Sequence, residues 1–490
     1  MNKIHLLIAA FFILLIGCNP VNQKKETVTK PNILWIVCDD LGTDLGCYGT
    51  PLIQTPILDE FAGQSIRFEN CHTVTAVCSS SRSSMVTGMY PVSINCHQHR
   101  TRPESMLPLP DSVKVITEYF EEAGYFTFNN RFGSKDKSGK TDYNFTTDYE
   151  IYDGTHWSQR QEEQPFFGQV QIHFPHRPFT QDTINPIDES KVELPPYLPD
   201  HWVARQDWAF YLETIQVVDQ EIGQLLAALE QDGLMDNTYI FIVGDQGRPM
   251  VRNKQFLYDG GTNTPLLIRY PNNQFAGEVR DELVSNIDLS ATSLKLAGIE
   301  VPEHIRGNNI LGEHTPRAEL YTMRDRRDET VDRIRAIRTK KYKYIRNFYT
   351  DRPYTQYNAY KRNKYPTLVL MEVLKSQDKL RPEQLSFMSD FRPAEELYDL
   401  ENDPYELNNL AASEDNIQIK KELGFKLDEW LKHEDVATYP EDGKEIEYWT
   451  KQMAKRDKVW KRKRNLPVDV SDEDYLAWWE KHLKSRQVKK

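Results

Sequence analysis

The sequence predicts an α/β protein: a large mixed, mostly parallel sheet sandwiched by helices, joined to a smaller C-terminal subdomain built on an antiparallel sheet. Three observations predict it. Two continuous apolar runs, residues 31–38 and 238–244, read as strands buried on both faces, and each ends in acid, Asp39-Asp40 and Asp245. Between them, residues 205–232 carry Leu212, Ile215, Val218, Ile222, Leu225 and Leu229 on one helical face, with Gly233 as the stop. Further on, residues 333–339 and 342–346 alternate around Lys340-Lys341 as a hairpin does. Strands alternating with helices bury a sheet on both faces, whereas a hairpin is antiparallel by construction.

In chain order, Lys3, the apolar run 4–16 and the sequence Leu15-Ile16-Gly17-Cys18 resemble a bacterial lipoprotein signal. The run is too short to favour a membrane span. Residues 1–17 are then a cleaved signal peptide, Cys18 the lipidated first residue, and 18–30 a polar tether. This expects an exported bacterial lipoprotein held to a membrane through the lipid on Cys18. Residues 31–315 form the catalytic domain. There, 56–61 reads as a short helix, 66–70 as a strand, 113–123 as a helix, 125–129 as a strand, and 166–172 as a strand ending at His173-Phe174-Pro175-His176. Residues 316–435 form the C-terminal subdomain, with 396–400 as a strand beside the hairpin. Residues 436–490 are charged and Trp-bearing, and read as a helical extension lying on the surface.

The balance of 61 Lys plus Arg against 73 Asp plus Glu gives a net charge of -12, which argues against nucleic acid as a partner. An anionic substrate requires a locally basic site. Of six cysteines, Cys38, Cys47, Cys71 and Cys96 allow three pairings and their spacing selects none. Cys38, inside an apolar run, reads as a small buried hydrophobe.

The chemistry centres on Val77-Cys78-Ser79-Ser80-Ser81-Arg82-Ser83-Ser84-Met85-Val86-Thr87-Gly88-Met89-Tyr90-Pro91. One Cys stands in a run of hydroxyls, Arg follows four residues on, and a helix begins whose free N–H groups point back at the Cys. That is an anion site containing a nucleophile. Cys78-x-Ser80-x-Arg82, continued through Thr87-Gly88, resembles the signature of the formylglycine-dependent sulfatases, type I enzymes of the alkaline-phosphatase-like superfamily. The segment from Glu396-Leu397-Tyr398-Asp399-Leu400 to Leu410 is similar to the closing motif of that fold.

The resemblance, which covers most of residues 31–412, implies a set of roles. Cys78 is converted by a sulfatase-maturing enzyme to an aldehyde (3-oxoalanine) whose hydrate attacks sulfur. Ser80 stands where many relatives have Pro. Asp39, Asp40, Asp245 and Gln246, with converted Cys78, hold one Ca²⁺, because all offer oxygen to a hard cation. Gln246 departs from the usual Asn or His. Arg82 orients the nucleophile; Lys140, in Ser138-Gly139-Lys140-Thr141-Asp142, holds a sulfate oxygen, although Asp142 stands where His is usual. His176 contacts sulfate or protonates the leaving oxygen, and Lys254 bridges the two. His97, His99, Arg100 and His173 are candidate substrate-binding residues. The whole is similar to heparan N-sulfatase-like enzymes and to bacterial sulfatases acting on algal polysaccharides such as ulvan. It implies removal of sulfate from an anionic oligo- or polysaccharide, ulvan favoured and glycosaminoglycan the other choice. The rival readings are a phosphomonoester or phosphonate hydrolase of the same superfamily, and an inactive glycan-binding lipoprotein for which Gln246 and Asp142 are marks of decay.

Overall fold

Seven strands, β1 (Asn32–Asp39), β2 (Ile66–His72), β3 (Phe126–Arg131), β4 (Phe166–Pro175), β5 (Thr238–Gly244), β6 (Asn263–Arg269) and β7 (Val279–Ser285), make one sheet in the order β3-β4-β1-β5-β6-β2-β7. The computed structural model describes residues 30–487, so the signal and Cys18 lie outside the described residues. Only β6 runs against the other six strands, as a mixed, mostly parallel sheet requires. β1 lies between β4 and β5 and is buried along its whole length. Its alternate residues feed two cores: Leu34, Ile36 and Cys38 face one layer, Ile33, Trp35 and Val37 the other. Each large side chain so buried contributes on the order of 1.5–3 kcal/mol.

The first layer is dominated by the helix Trp202–Gln231, whose start is capped by His201 accepting from the Val203 N–H at 3.2 Å. It contacts β4 and the helix Pro366–Ser376. Two strands of the large sheet were not legible as such. β6 contains Pro265, which suppresses strand reading; β7 is an edge strand whose first half is charged and partly exposed. The helix expected over 113–123 spans only Ile116–Glu122, because Val115 is still extended at φ -71°, ψ 143°.

The second sheet has four antiparallel strands, β8 (Leu320–Arg324), β9 (Ile334–Arg338), β10 (Tyr342–Asn347) and β11 (Glu395–Asp399), in the order β11-β10-β9-β8. The helix Ile417–Glu434 covers it, packing Leu423, Leu427 and Trp430 on Ile337, Tyr344 and Leu397. The loop after β8 reaches back to the catalytic half, where the His99 N–H donates to the Arg326 carbonyl at 3.0 Å. The expected surface extension is two helices, Gly443–Lys463 and Asp472–Arg486. It is docked rather than laid on the surface: Met453, Tyr475, Trp479 and Leu483 are buried, and the last helix packs on Pro366–Ser376. The five cysteines among the described residues are all free thiols, and Cys38 is fully buried in the apolar core.

Candidate active site

β1 and β5 are parallel neighbours with Cys38 opposite Gly244, so their carboxylates emerge together at one sheet edge. The Asp40 N–H donates to Asp245 Oδ1 at 2.9 Å. Asp40 takes a left-handed φ of 69°, a conformation Asp tolerates better than most residues. Gly244 admits this crossing because a Cβ there would stand 2.2 Å from the Leu41 carbonyl oxygen. Against this edge lies the helix Cys78–Thr87, with Cys78 as its first residue and all ten residues buried. So polar a helix can be buried because its hydroxyls bond within it: Ser83, Ser84 and Thr87 each donate to the carbonyl four residues back, at 2.8–2.9 Å. Gly88 ends it at φ 67°, the left-handed C-terminal position that glycine fills without strain.

Cations fill the space between Cys78 and the acids. Lys254 Nζ, fully buried, lies 2.6 and 2.7 Å from the two Asp40 oxygens and 3.6 Å from Cys78 Sγ. Lys140 Nζ donates to both oxygens of Asp39 at 3.0 and 2.9 Å. Arg82 Nε donates to Asp245 Oδ2 at 2.8 Å, its second nitrogen lies 3.5 Å from Asp39, and its third donates to Gln171. Burial alone pushes the Asp39 carboxyl up, but Lys140, His176, Arg82 and Lys254 outweigh it and hold Asp39 well below its ordinary value. Asp40 is held down against burial by Lys254 and His176. Burial also opposes the charge on Lys254, yet Asp40 keeps it an ammonium. Burial pushes the Cys78 thiol up despite Lys140 and Lys254, so as a free thiol it is a poor thiolate nucleophile.

The histidines sort themselves by geometry. His176 Nδ1 lies 2.6 Å from the Arg177 carbonyl, which can only accept, so Nδ1 carries the proton and bare Nε2 faces Asp40 Oδ2 at 4.0 Å and the Tyr360 hydroxyl at 3.5 Å. His173, largely exposed, reaches Asp39 at 3.7 Å from the mouth. His99 is buried, with Nδ1 3.5 Å from Asp328, and one of its ring nitrogens lies within 4.8 Å of Cys78 Sγ and an Asp142 oxygen. Arg100 donates to Asp142 at 3.1 and 3.4 Å, so Asp142 anchors a cation instead of replacing a histidine. The substrate-facing expectation for His97 does not hold: it is buried with its ring toward Tyr439, 6.0 Å between centroids, in a cluster with Asp325 and Arg335. A cavity of about 270 Å³ opens beside the charges, lined by Asp39, Arg82, Lys140, Gln171 and His173. A larger one, about 490 Å³, is lined by Asp44, Trp208 and Arg248 among others and shares no residue with this set.

The family model described as Sulfatase matches residues 31–299, more than half of the chain, and the one described as N-sulphoglucosamine sulphohydrolase, C-terminal, matches 249–379. The chain belongs to the sulfatase family. Among its relatives, an ulvan-active sulfatase of Formosa agariphila is 31% identical over 88% of this chain and 81% of its own. The human N-sulphoglucosamine sulphohydrolase is 25% identical over 81% of this chain and 89% of its own. A solved structure of a protein in complex with its substrate D-glucosamine-2-N,6-O-disulfate shares the fold, with a TM-score of 0.60 at 20% identity, covering 84% of this chain and all of that one. This is therefore a sulfuric ester hydrolase, and the resemblance carried by Cys78–Thr87 and the strand-end acids is borne out at the level of family and fold.

The donor set of this sulfatase fits a hard cation. Asp39, Asp40 and Cys78 each place one candidate ligand atom within 4.8 Å of the others, and Asp245 touches the Asp40 backbone. Gln246 supplies the specific sign. Its Nε2 faces Asp40 Oδ1 and lies 3.4 Å from Cys78 Sγ, while its buried Oε1 has no partner among the described residues. A half-turn of the amide exchanges the two and presents an oxygen to the same spot, which a cation rewards and a lysine ammonium does not require. Sequence reasoning missed Gln171, Arg327 and Tyr360. Gln171 lies within a strand already read, one residue before its expected end, but is an ordinary polar residue there. Arg327 is buried over the Tyr360 ring at 5.0 Å and acts electrostatically on Cys78. Both come from beyond β8, where no local signal points to the site.

Proposed function

We propose that this sulfatase hydrolyses sulfate esters of an anionic polysaccharide or its oligosaccharides, ulvan-type chains favoured, with Cys78 converted to the formylglycine aldehyde and Ca²⁺ held by Asp39, Asp40, Asp245 and Gln246. The observation that carries the reading is Cys78 buried at a helix start between two lysines and three carboxylates. A thiol there is poorly matched, whereas a hydrated aldehyde offers a hard oxygen nucleophile, and a cation held by the carboxylates would supply charge withdrawal from the sulfonyl oxygens. The ulvan preference is supported by the relative of Formosa agariphila, and a glycosaminoglycan is the other substrate class, named for a solved structure of the same fold, a 2-O GAG sulfatase.

The chain's own residues do the rest. Lys140 and Lys254 flank the space and present ammonium groups to sulfate oxygens. Arg82, locked between Asp245, Asp39 and Gln171, fixes the first turn of the helix relative to the acids. Burial and Lys254 press His176 down to about 4, so Nε2 is a free base before substrate arrives. A sulfate monoanion against the lysines raises its proton affinity, so that Nε2 takes up a proton from solvent as substrate binds; His176 then delivers that proton to the departing sugar oxygen and is left a free base again. Residues 1–17 as export signal, Cys18 as lipid anchor and a maturing enzyme acting on Cys78 complete the proposal. The test is sulfate release from defined ulvan, heparan, chondroitin and carrageenan oligosaccharides, run beside aryl sulfate and aryl phosphate. Release should scale with the aldehyde fraction at Cys78 measured by mass spectrometry and vanish in Cys78→Ala. Full turnover by Cys78→Ala defeats the mechanism; preference for aryl phosphate favours the phosphohydrolase reading.

A further inference from the structure

The C-terminal extension lines a third cavity, of about 290 Å³, against the catalytic half. Phe179 and Phe210 form one wall, Trp478 and Trp479 of the helix Asp472–Arg486 the other. Its charge is one-sided. Arg177, Lys364, Arg464, His482 and Arg486 line it with a single carboxylate, Asp207. That carboxylate is already taken: both oxygens accept from Arg177 at 2.7 Å, and Oδ2 also from the Thr367 hydroxyl at 3.0 Å. Lys364, Arg464 and Arg486 have no ion-pair partner among the described residues. Arg464 donates to Asn363 and the Tyr475 hydroxyl, Arg486 to the Phe179 carbonyl, all neutral acceptors. Asp457 attracts Arg464, and Asp207 and Glu213 attract Arg486, without touching them.

The walls hold the cations in place. Arg464 lies over both indoles, at 4.6 and 5.0 Å, Trp478 stacks on His482 at 4.9 Å, and Arg177 and Arg486 lie over Phe179 and Phe210 at 4.1 and 4.7 Å. Trp479 is buried, yet its Nε1–H has no acceptor among the described residues. The cations gathered around this cavity repel one another, a cost that an entering anion relieves.

We propose that this cavity is a second saccharide site, binding one acidic sugar unit through its carboxylate or sulfate among Lys364, Arg464 and Arg486, with the aromatic walls bordering the ring. That the anion belongs to a sugar rests on the polysaccharide reading above; that the cavity takes an anion rests on its own charges. Burial and the neighbouring Arg464, Arg177 and Lys463 already press the Lys364 ammonium down, a repulsion that a bound anion relieves. The site is also tied to the active site. The helix Ala359–Lys364 puts Tyr360 against His176 at one end and Lys364 in the cavity at the other, about 6 Å of helix rise apart. A polymer held here is anchored beside the sulfate being removed, which adds remote binding energy that a small substrate lacks.

The experiment uses full-length Cys78→Ala protein labelled with 5-fluorotryptophan, with the Trp478 and Trp479 resonances assigned through Trp478→Phe and Trp479→Phe. The probes are D-glucuronate, D-glucose 6-sulfate, inorganic sulfate and neutral D-glucose. Saturable shifts of both resonances with the acidic sugars, weakened about tenfold in Lys364→Gln, support the proposal; the stronger of the two acidic sugars tells carboxylate from sulfate. Lys364 is a safe position, since its ammonium makes no ion pair among the described residues and lies 5.8 Å from the Trp460 ring. No shift with either acidic sugar, an equal shift with glucose, or shifts indifferent to Lys364→Gln overturns it, and so does inorganic sulfate matching the sugars in affinity, which leaves a plain anion site. In the matured enzyme, Lys364→Gln should raise KM for polymer about tenfold and leave aryl sulfate turnover unchanged. If the wild type releases sulfate from no polysaccharide, the substrate reading fails, while the fluorine shifts still decide the cavity.

Discussion

Lys254 and Asp40 form a fully buried ion pair, Nζ to Oδ1 2.6 Å, placed 3.6 Å from the sulfur of Cys78. Breaking a buried pair by removing one partner costs about 3–5 kcal/mol, because the other charge is left stranded. On the proposed mechanism, a cation bound to Asp40 would offset part of that loss. Lys254→Met should therefore fold when Ca²⁺ is saturating, melt earlier when it is chelated, and lose at least ~100-fold in kcat on aryl sulfate. Wild-type kcat in Lys254→Met removes this lysine from the reaction.

Cation content gives a test that does not depend on activity. Asp39→Asn and Asp245→Asn should each lower bound Ca²⁺ per chain, read by elemental analysis after dialysis, from near one toward zero. Gln246→Asn keeps the amide oxygen on a shorter arm and should lose less than Gln246→Leu, which removes the donor. Equal content in Gln246→Leu and wild type places the cation on the carboxylates alone.

Arg100 and His97 stand three residues apart and should behave oppositely. Arg100 is partly exposed and paired to Asp142 beside Cys78, so Arg100→Ala should depress oligosaccharide turnover about tenfold more than aryl sulfate turnover. His97 is buried toward Tyr439, so His97→Ala should lower the melting midpoint and leave the ratio of the two activities unchanged. A changed ratio in His97→Ala returns it to the substrate.

Glu213 supplies a pH effect remote from the chemistry. It is buried; one oxygen accepts from the Ile187 N–H at 2.9 Å and the other has no partner among the described residues. Burial pushes its carboxyl up from 4.5 to about 7. The folded state thus holds a proton that the unfolded state has released, so this contribution to stability is complete below pH 4.5 and is lost as pH rises through about 7. Glu213→Gln cannot ionise, and its stability relative to wild type should grow between pH 5 and 8 by on the order of 2 kcal/mol, less than the full shift because the range begins above the unfolded value. Parallel urea midpoints for the two proteins across that range would refute the shifted carboxyl.

What the sequence determined by itself was the frame of the active site. Acids at the ends of β1 and β5 and a Cys at a helix start are consequences of local pattern: an apolar run must be a buried strand, its polar end must emerge at the edge, and a serine-rich helix start must face something polar. That β1 and β5 are parallel neighbours in the register that brings Asp40 and Asp245 together was decided by the fold. The tertiary structure decided the partners. Nothing local says that Lys140 takes Asp39 while Lys254 takes Asp40, since either ammonium suits either carboxylate, and only the packing of two loops separates them. Nor could spacing place His97 and His99, because Asn95 and Arg100 turn the backbone through left-handed φ and remove the alternation on which a facing argument depends. Arg327, Tyr360 and the Trp478–Trp479 wall of the cavity arrive from residues beyond β8, carried to the catalytic half by the second sheet and the docked extension. Their roles come from long-range burial of charge, a property of the assembled fold that no short stretch of sequence encodes.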